Sequence, residues 1–167
     1  MALNAYLTLK GQKQGTIIGG ATNKGHEGQI TVIAVSHGII SPRDPASGLP
    51  TGKRMHKPIV ITKEVDKSSP LLYQALCTNE NISSFVLNFY QPVLRVGAGI
   101  ETVNNYYRIE LVNANIASID FRMLNDKNPD LMKYAEYEEI AFTYQKITWT
   151  ILDGGITSTD DWEAQVV

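Results

Sequence analysis

Apolar and polar positions alternate through the first ten residues, with Leu3, Ala5, Leu7 and Leu9 separated by Asn4, Tyr6, Thr8 and Lys10. A period of two predicts a strand with one buried face. Residues 11–28 are glycine-rich and polar and predict a loop, with a short strand at 16–18. Residues 29–40 predict one continuous strand, with Ile30, Val32 and Ala34 on one face and Ile33, Val35 and Ile39 on the other. Both faces are apolar, which predicts cover on both sides, by the core and by a second layer or subunit.

The alternation stops at residues 41–58, which hold four prolines and two glycines. Arg43, Lys53, Arg54 and Lys57 stand there against one acid, Asp44. A long aperiodic segment inside a compact domain usually serves binding. Residues 59–65 return to a strand. A helix of about ten residues follows, with Ser69 expected as N-cap, Pro70 at the first helical position, and Leu71, Leu72, Ala75 and Leu76 as its apolar stripe. Asn79 is its expected stop.

The remaining pattern is β. Residues 84–90 alternate up to Pro92. Residues 105–112 place Tyr107, Ile109 and Leu111 on one face, and a hairpin across 113–115 would pair them with residues 116–124. Residues 125–130 form a turn cluster. Residues 139–152 predict a long strand, with Ile147, Trp149 and Ile151 on one face and Phe142 and Tyr144 on the other, broken by Gly154 and Gly155. The tail, 151–167, carries Asp153, Asp160, Asp161 and Glu163 and no Lys or Arg. Six to eight strands with a single helix predict a mainly β fold: a small β-barrel of two packed sheets, one short flanking helix and a long extended loop, all in one domain, 1–167.

Composition narrows the function classes. The net charge of −2 gives no bulk attraction to nucleic acid or anionic lipid. Cys77 is the only cysteine, so neither an intrachain disulfide nor a cysteine zinc cluster can form. Apolar runs reach about four residues where a membrane span needs roughly 20. No basic-then-apolar leader opens the sequence, so export would use a route that reads no cleaved signal.

Candidate chemistry is sparse. Ser36, His37 and an acid such as Asp44, Glu64 or Asp66 can be assembled on paper into a hydrolase triad, but a triad is a geometric arrangement and no Gly-x-Ser-x-Gly elbow accompanies it. His26, His37 and His56 are 11 and 19 residues apart, which matches no compact metal-ligand spacing. Residues 48–54 approach a phosphate-binding loop, but the glycine spacing is one short, Arg54 stands where Ser or Thr would hold magnesium, and a strand follows instead of a helix. No catalytic residue, metal site or cofactor is assigned. A monomeric β-sandwich that binds a small ligand such as a sugar through loop aromatics and histidines is the alternative class.

Several short segments, in order, carry a family likeness: Gly11-Gln12-Lys13-Gln14-Gly15, Ser36-His37-Gly38, Pro42-Arg43-Asp44, Ser47-Gly48, Thr51-Gly52-Lys53-Arg54, His56-Lys57-Pro58, Ile61-Thr62-Lys63-Glu64, Asp66-Lys67-Ser68-Ser69-Pro70, Leu71-Leu72-Tyr73, Tyr144, Lys146-Ile147-Thr148-Trp149 and Asp160-Asp161-Trp162. Together they resemble the haemolysin-coregulated protein (Hcp) family, the tube protein of the bacterial type VI secretion system. The resemblance implies hexameric rings stacked into a tube, with a contractile sheath and spike proteins as partners and small effector proteins carried in the pore. It implies a bacterial cytoplasmic protein that is secreted, with no cofactor and no active site.

On that resemblance, three surfaces are expected. A ring-to-ring contact loop would use Arg43, Asp44, Lys53, Arg54, His56 and Lys57. An acidic partner surface on the next ring would use Asp160, Asp161 and Glu163. Ser36 is the candidate for the lumen and the effector, although its alternation with Ile30, Val32 and Ala34 would equally face it to the core.

Overall fold

The computed structural model describes residues 4–94 and 101–164. Leu3, expected in the first strand, and the last three residues of the acidic tail lie outside the described residues. Thirteen strands and one helix follow in the order β1 (Ala5–Gly11), β2 (Gly15–Ile17), β3 (Ile30–Val32), β4 (Ala34–Ser36), β5 (Ile39–Ile40), β6 (Met55–His56), β7 (Ile59–Glu64), α1 (Ser69–Cys77), β8 (Ile82–Leu94), β9 (Glu101–Val112), β10 (Asn115–Arg122), β11 (Tyr137–Thr143), β12 (Lys146–Ile151) and β13 (Ile156–Asp161).

The fold is mainly β with one short helix, as the pattern predicts. The strands form a seven-stranded sheet ordered β13-β12-β9-β8-β1-β2, with β3 also on β1, and a four-stranded sheet ordered β10-β11-β7-β4. The barrel expected from the sequence does not close, because the two sheets pack without joining into one ladder. Leu7, Leu9, Phe85 and Leu87 of the large sheet meet Ile59, Ile61, Ile140 and Phe142 of the small one, all buried. Phe85 and Phe142 touch edge to face with ring centres 5.1 Å apart, which ties β8 to β11.

The chain changes sheets at three corners, and each corner overturns a sequence expectation. The first is the continuous strand at 29–40. β3 pairs with β1, Ala5 opposite Val32, and then β4 pairs with β7, Val35 opposite Ile61. Between them Ile33 turns outward while its N–H donates to the Thr62 carbonyl at 2.9 Å. The apolar residues on both faces serve two sheets in succession, as a corner strand in a two-sheet packing must. The alternation that set Ser36 beside Ile30 and Val32 is broken there: Ile30 and Val32 are buried, and Ala34 and Ser36 are exposed.

The second corner is Asn113, at φ 50°, followed by the buried Ala114. β9 and β10 therefore do not form a hairpin. β9 pairs with β8 and β12, and β10 with β11. The third corner, Tyr144 and Gln145, divides the expected strand at 139–152 into β11 of the small sheet and β12 of the large one. Pro92 does not end its strand. Among the described residues β8 pairs with β1 only up to Asn88, while its ladder with β9 runs on through Pro92 to Leu94.

Residues 41–54 are more ordered than an aperiodic segment suggests. β5 and β6 pair, Ile39 opposite His56, and Arg43 bridges to Pro50. The tip turns on Asp44, whose carboxylate accepts the Ser47 N–H at 2.9 Å and whose carbonyl accepts the Gly48 N–H at 2.8 Å. The whole forms a narrow arm. Ile39, Ile40, Leu49 and Met55 on it are exposed.

Helix α1 buries Ser69, Leu72 and Ala75. It starts one residue away from the expected cap, because Ser68 takes the N-cap place and Ser69 is committed elsewhere. Lys63 lies wholly buried on β7, opposite Glu138 on β11. Its ammonium donates to Glu138 at 2.9 Å, the Ser69 hydroxyl at 3.0 Å and the Glu64 carbonyl at 2.8 Å, with Asp66 also at 3.0 Å. The helix ends as Asn79 adopts φ 49° and the Glu80 N–H reaches back to the Ala75 carbonyl at 2.8 Å, a left-handed C-terminal cap. Glu80 then turns inward, where one carboxylate oxygen accepts the Lys13 and Gln14 N–H groups at 2.6 and 2.8 Å. Gly11 has no side chain there for a reason: a Cβ would lie 2.5 Å from that oxygen.

Candidate functional site

The arm leaves the body between His37 and His56, and both imidazoles converge on one phenol. His37 Nε2 lies 2.6 Å from the Tyr144 hydroxyl, and His56 Nδ1 lies 2.9 Å from it. The far nitrogen of His56 meets Asp160 Oδ2 on β13 at 2.7 Å. Arg54 Nε donates to the same oxygen, and its Nη2 donates to the Asp161 carbonyl at 2.6 Å. Lys53 donates to the Glu163 carbonyl at 3.2 Å. Trp162 stacks on His56, ring centres 5.3 Å apart, and meets Tyr144 edge-on at 5.3 Å.

The corner between β11 and β12 presents Tyr144 to this place. β13, pairing with β12 through Ile147 opposite Asp160, supplies the acid. Burial, and the charge of His56 beside it, hold the His37 pKa below the ordinary histidine value. The Arg54 hydrogen bond, outweighing the effect of burial, holds the Asp160 carboxyl below the usual carboxylate range. Burial, then the Asp160 charge, pushes the Tyr144 phenol upward, so it stays a neutral hydroxyl.

The residues singled out by sequence are distributed as follows. Arg54, His56, Asp160 and Asp161 are brought together, and within one chain. His56 is buried with both nitrogens engaged, so it is a support beneath the arm surface. Arg43, Lys53 and Lys57 are exposed along the arm. Asp44 shapes the tip, and the Ser47 hydroxyl and backbone N–H keep its carboxyl below the usual range. Ser36 is exposed on β4, and His37 bonds Tyr144 instead of Ser36. His26 stacks flat on Tyr6 at 3.9 Å and bonds Gln29 at 3.0 Å, so that aromatic face is already covered. Among the described residues no group of three or more His, Cys, Asp or Glu gathers as metal ligands, and no helix is long and apolar enough to cross a membrane.

Sequence reasoning missed Tyr144 as the centre of the arrangement. Its alternation with Phe142 marked it as a strand residue and the family likeness included it, but neither gave it a role. No spacing signal links positions 37, 56, 144 and 160, which four different elements bring together.

A two-sheet β protein with a projecting arm pinned at its base defines the class. The family model described as "Type VI secretion system effector, Hcp" matches residues 6–151. The "Major exported protein" of Pseudomonas aeruginosa is 39% identical, over 99% of this chain and 99% of its own. Among solved structures, one described as an Hcp protein superposes with TM-score 0.87 at 29% identity, covering 97% of this chain and 99% of its own. Hcp1 of Escherichia coli EAEC 042 follows with TM-score 0.81 at 31% identity, covering 96% and 99%. The chain belongs to the Hcp family of type VI secretion proteins.

Proposed function

We propose that the chain is a structural tube subunit of the type VI secretion system, forming hexameric rings that stack and hold small effector proteins in the pore. The observation that carries this is the arm: Ile39, Ile40, Leu49 and Met55 stand exposed on a segment held out from the body in an Hcp-family chain. Apolar side chains on a projecting ribbon gain cover from a partner surface, which in this reading is another copy, and obligate interfaces resemble a core cut in half. The sheath and spike of the secretion apparatus are the outer partners. No catalytic role is assigned. The "exported" name of the Pseudomonas relative supports secretion.

The arm is the ring-to-ring contact in this reading. Arg43, Lys53 and Lys57 lie on its surface, Asp44 shapes its tip, and Arg54 and His56 fix its base. Asp160, Asp161 and Glu163 form the acidic side of the contact, both beneath the arm and toward the next ring. Ser36, exposed on β4, faces the lumen. The test is mass in solution: light scattering of the purified chain should report a species near six times 18.5 kDa. A single-subunit mass at micromolar concentration would overturn the reading. Stacked rings should shorten in 1 M salt, where screening acts over roughly 3 Å, while single rings persist.

A further inference from the structure

The hydrogen bonds at the base of the arm form a closed account of protons. Tyr144 has one hydrogen to give and accepts from the other side. Asp160 is ionised and accepts only. With both histidines neutral, one direction satisfies every contact: His37 Nε2–H donates to the phenol oxygen, the phenol donates to His56 Nδ1, and His56 Nε2–H donates to Asp160. With a single proton added at His56, the direction reverses over half its length. His56 Nδ1–H then donates to the phenol, and the phenol donates to a neutral His37. Both arrangements keep all three contacts at 2.6, 2.9 and 2.7 Å.

A second proton has no such solution. Two cationic imidazoles would both donate to the phenol oxygen, the phenol hydrogen would lose its acceptor, and two like charges would face one oxygen. The groups packed around the pair do not compensate. Among the described residues Asp160 is the one carboxylate whose oxygen touches either ring, and it already holds Arg54. Asp161 meets Arg54 through its backbone carbonyl. On the arm side Lys53, Arg54 and Lys57 add positive charge, and Trp149 and Trp162 present ring faces. The histidines sit on the two legs of the arm at its root, His37 after β4 and His56 ending β6, so both legs are released together.

We propose that His37, Tyr144 and His56 form a proton-operated latch that holds the arm to the body at neutral pH and lets it go on mild acidification. Its ligand is the proton, and it acts within one chain whether or not the arm contacts another ring. The sign follows from burial. A histidine held below its ordinary value stabilises the docked arm above about pH 6.5, and that stabilisation is lost as pH falls. Asp160, itself held low, keeps Arg54 until pH falls through its own lowered value. The latch therefore opens before the ion pair.

Hydrogen exchange of the full chain at pH 7.5 and 5.0, corrected for the intrinsic pH dependence of exchange, tests this. Amides of residues 38–57 should lose at least tenfold protection at pH 5.0, while those of β1 and β8 keep theirs. His37→Gln supplies a fixed amide donor to the phenol and should leave the arm protected at both pH values. Tyr144→Phe removes the shared oxygen and should leave the arm unprotected at both, with β1 and β8 protected as a control for folding. Unchanged wild-type protection between the two pH values, or a His37→Gln chain that still loses protection at pH 5.0, would overturn the latch. Light scattering on the same samples reports ring mass separately, so a monomeric chain that still shows the pH response would sink the ring reading and leave the latch standing.

Discussion

Two ionic clusters hold this protein together, and they differ in burial. Lys63, Glu138, Asp66 and Ser69 lock the small sheet to the start of α1, with the Lys63 and Glu138 side chains 0% and 1% exposed. Arg54, His56, Tyr144 and Asp160 lock the arm to the large sheet, with Arg54 and Asp160 20% and 27% exposed. In the first cluster water cannot replace a lost partner. In the second it can, at least for Arg54. The same chemistry therefore makes a fixed joint in one place and a releasable one in the other.

The sharpest way to break this comparison is at Lys63. Lys63→Met leaves Glu138 as an uncompensated buried charge, and chemical unfolding should show a loss of about 3–5 kcal/mol. Changing the pair together, Lys63→Met with Glu138→Leu, should recover most of that loss, because an apolar pair of similar volume is often neutral to stabilising by about 1–4 kcal/mol. A double variant as weak as the single would show that the pair contributes more than charge compensation.

Glu80 falls next. Glu80→Ala strips the acceptor from two backbone N–H groups in the loop after β1, and the unfolding free energy should drop by about 1–3 kcal/mol. Burial opposes ionisation of Glu80, but the Gln14 and Lys13 hydrogen bonds outweigh it and hold its carboxyl low. Its contribution is thus present above about pH 4.3 and lost as pH falls through the lowered value. Melting between pH 7 and 5 should leave the body's midpoint unchanged, since Asp66 and Glu80 remain ionised there.

The smallest global effect belongs to Arg54→Ala. A partly exposed pair that water can reach adds little to folding, so the unfolding midpoint should stay within error while proteolysis at residues 41–54 speeds up. Arg54→Lys, which keeps a cation at Asp160 and leaves the His56 acceptor in place, should retain most of the resistance. A shifted midpoint in Arg54→Ala would place this pair with the buried cluster and erase the contrast.

The periodicity made the body legible. The alternation of Leu7 and Leu9, of Ile59 and Ile61, and of Ile109 and Leu111 marks buried faces that the structure fills. Sheet membership was not legible, because alternation reports a strand's buried face and says nothing of its partner. Residues 29–40 read as one strand because a corner needs only one outward residue, Ile33, and an isoleucine there looks like core. The charges of the arm and the tail read as the two sides of a contact between rings, whereas Arg54 and Asp160 pair inside one chain. That the pairing closes within one chain depends on β13 lying beside β12, which local pattern does not encode.

The sheet-changing corners carry a consequence for how the chain reaches this state. β11 stands between β10 and β7, so the small sheet stays open at its centre until residue 143 is made. The large sheet takes β1 at one side and β12 and β13 at the other, the first and last strands described. No N-terminal fragment completes either layer. On a ribosome, β1 waits for β8 and β7 waits for β11, partners roughly 70–80 residues further along the chain. Closing such distant pairings is slow, in the millisecond-to-second range typical of non-local β proteins. During that interval the waiting edges are the part of the chain most exposed to aggregation.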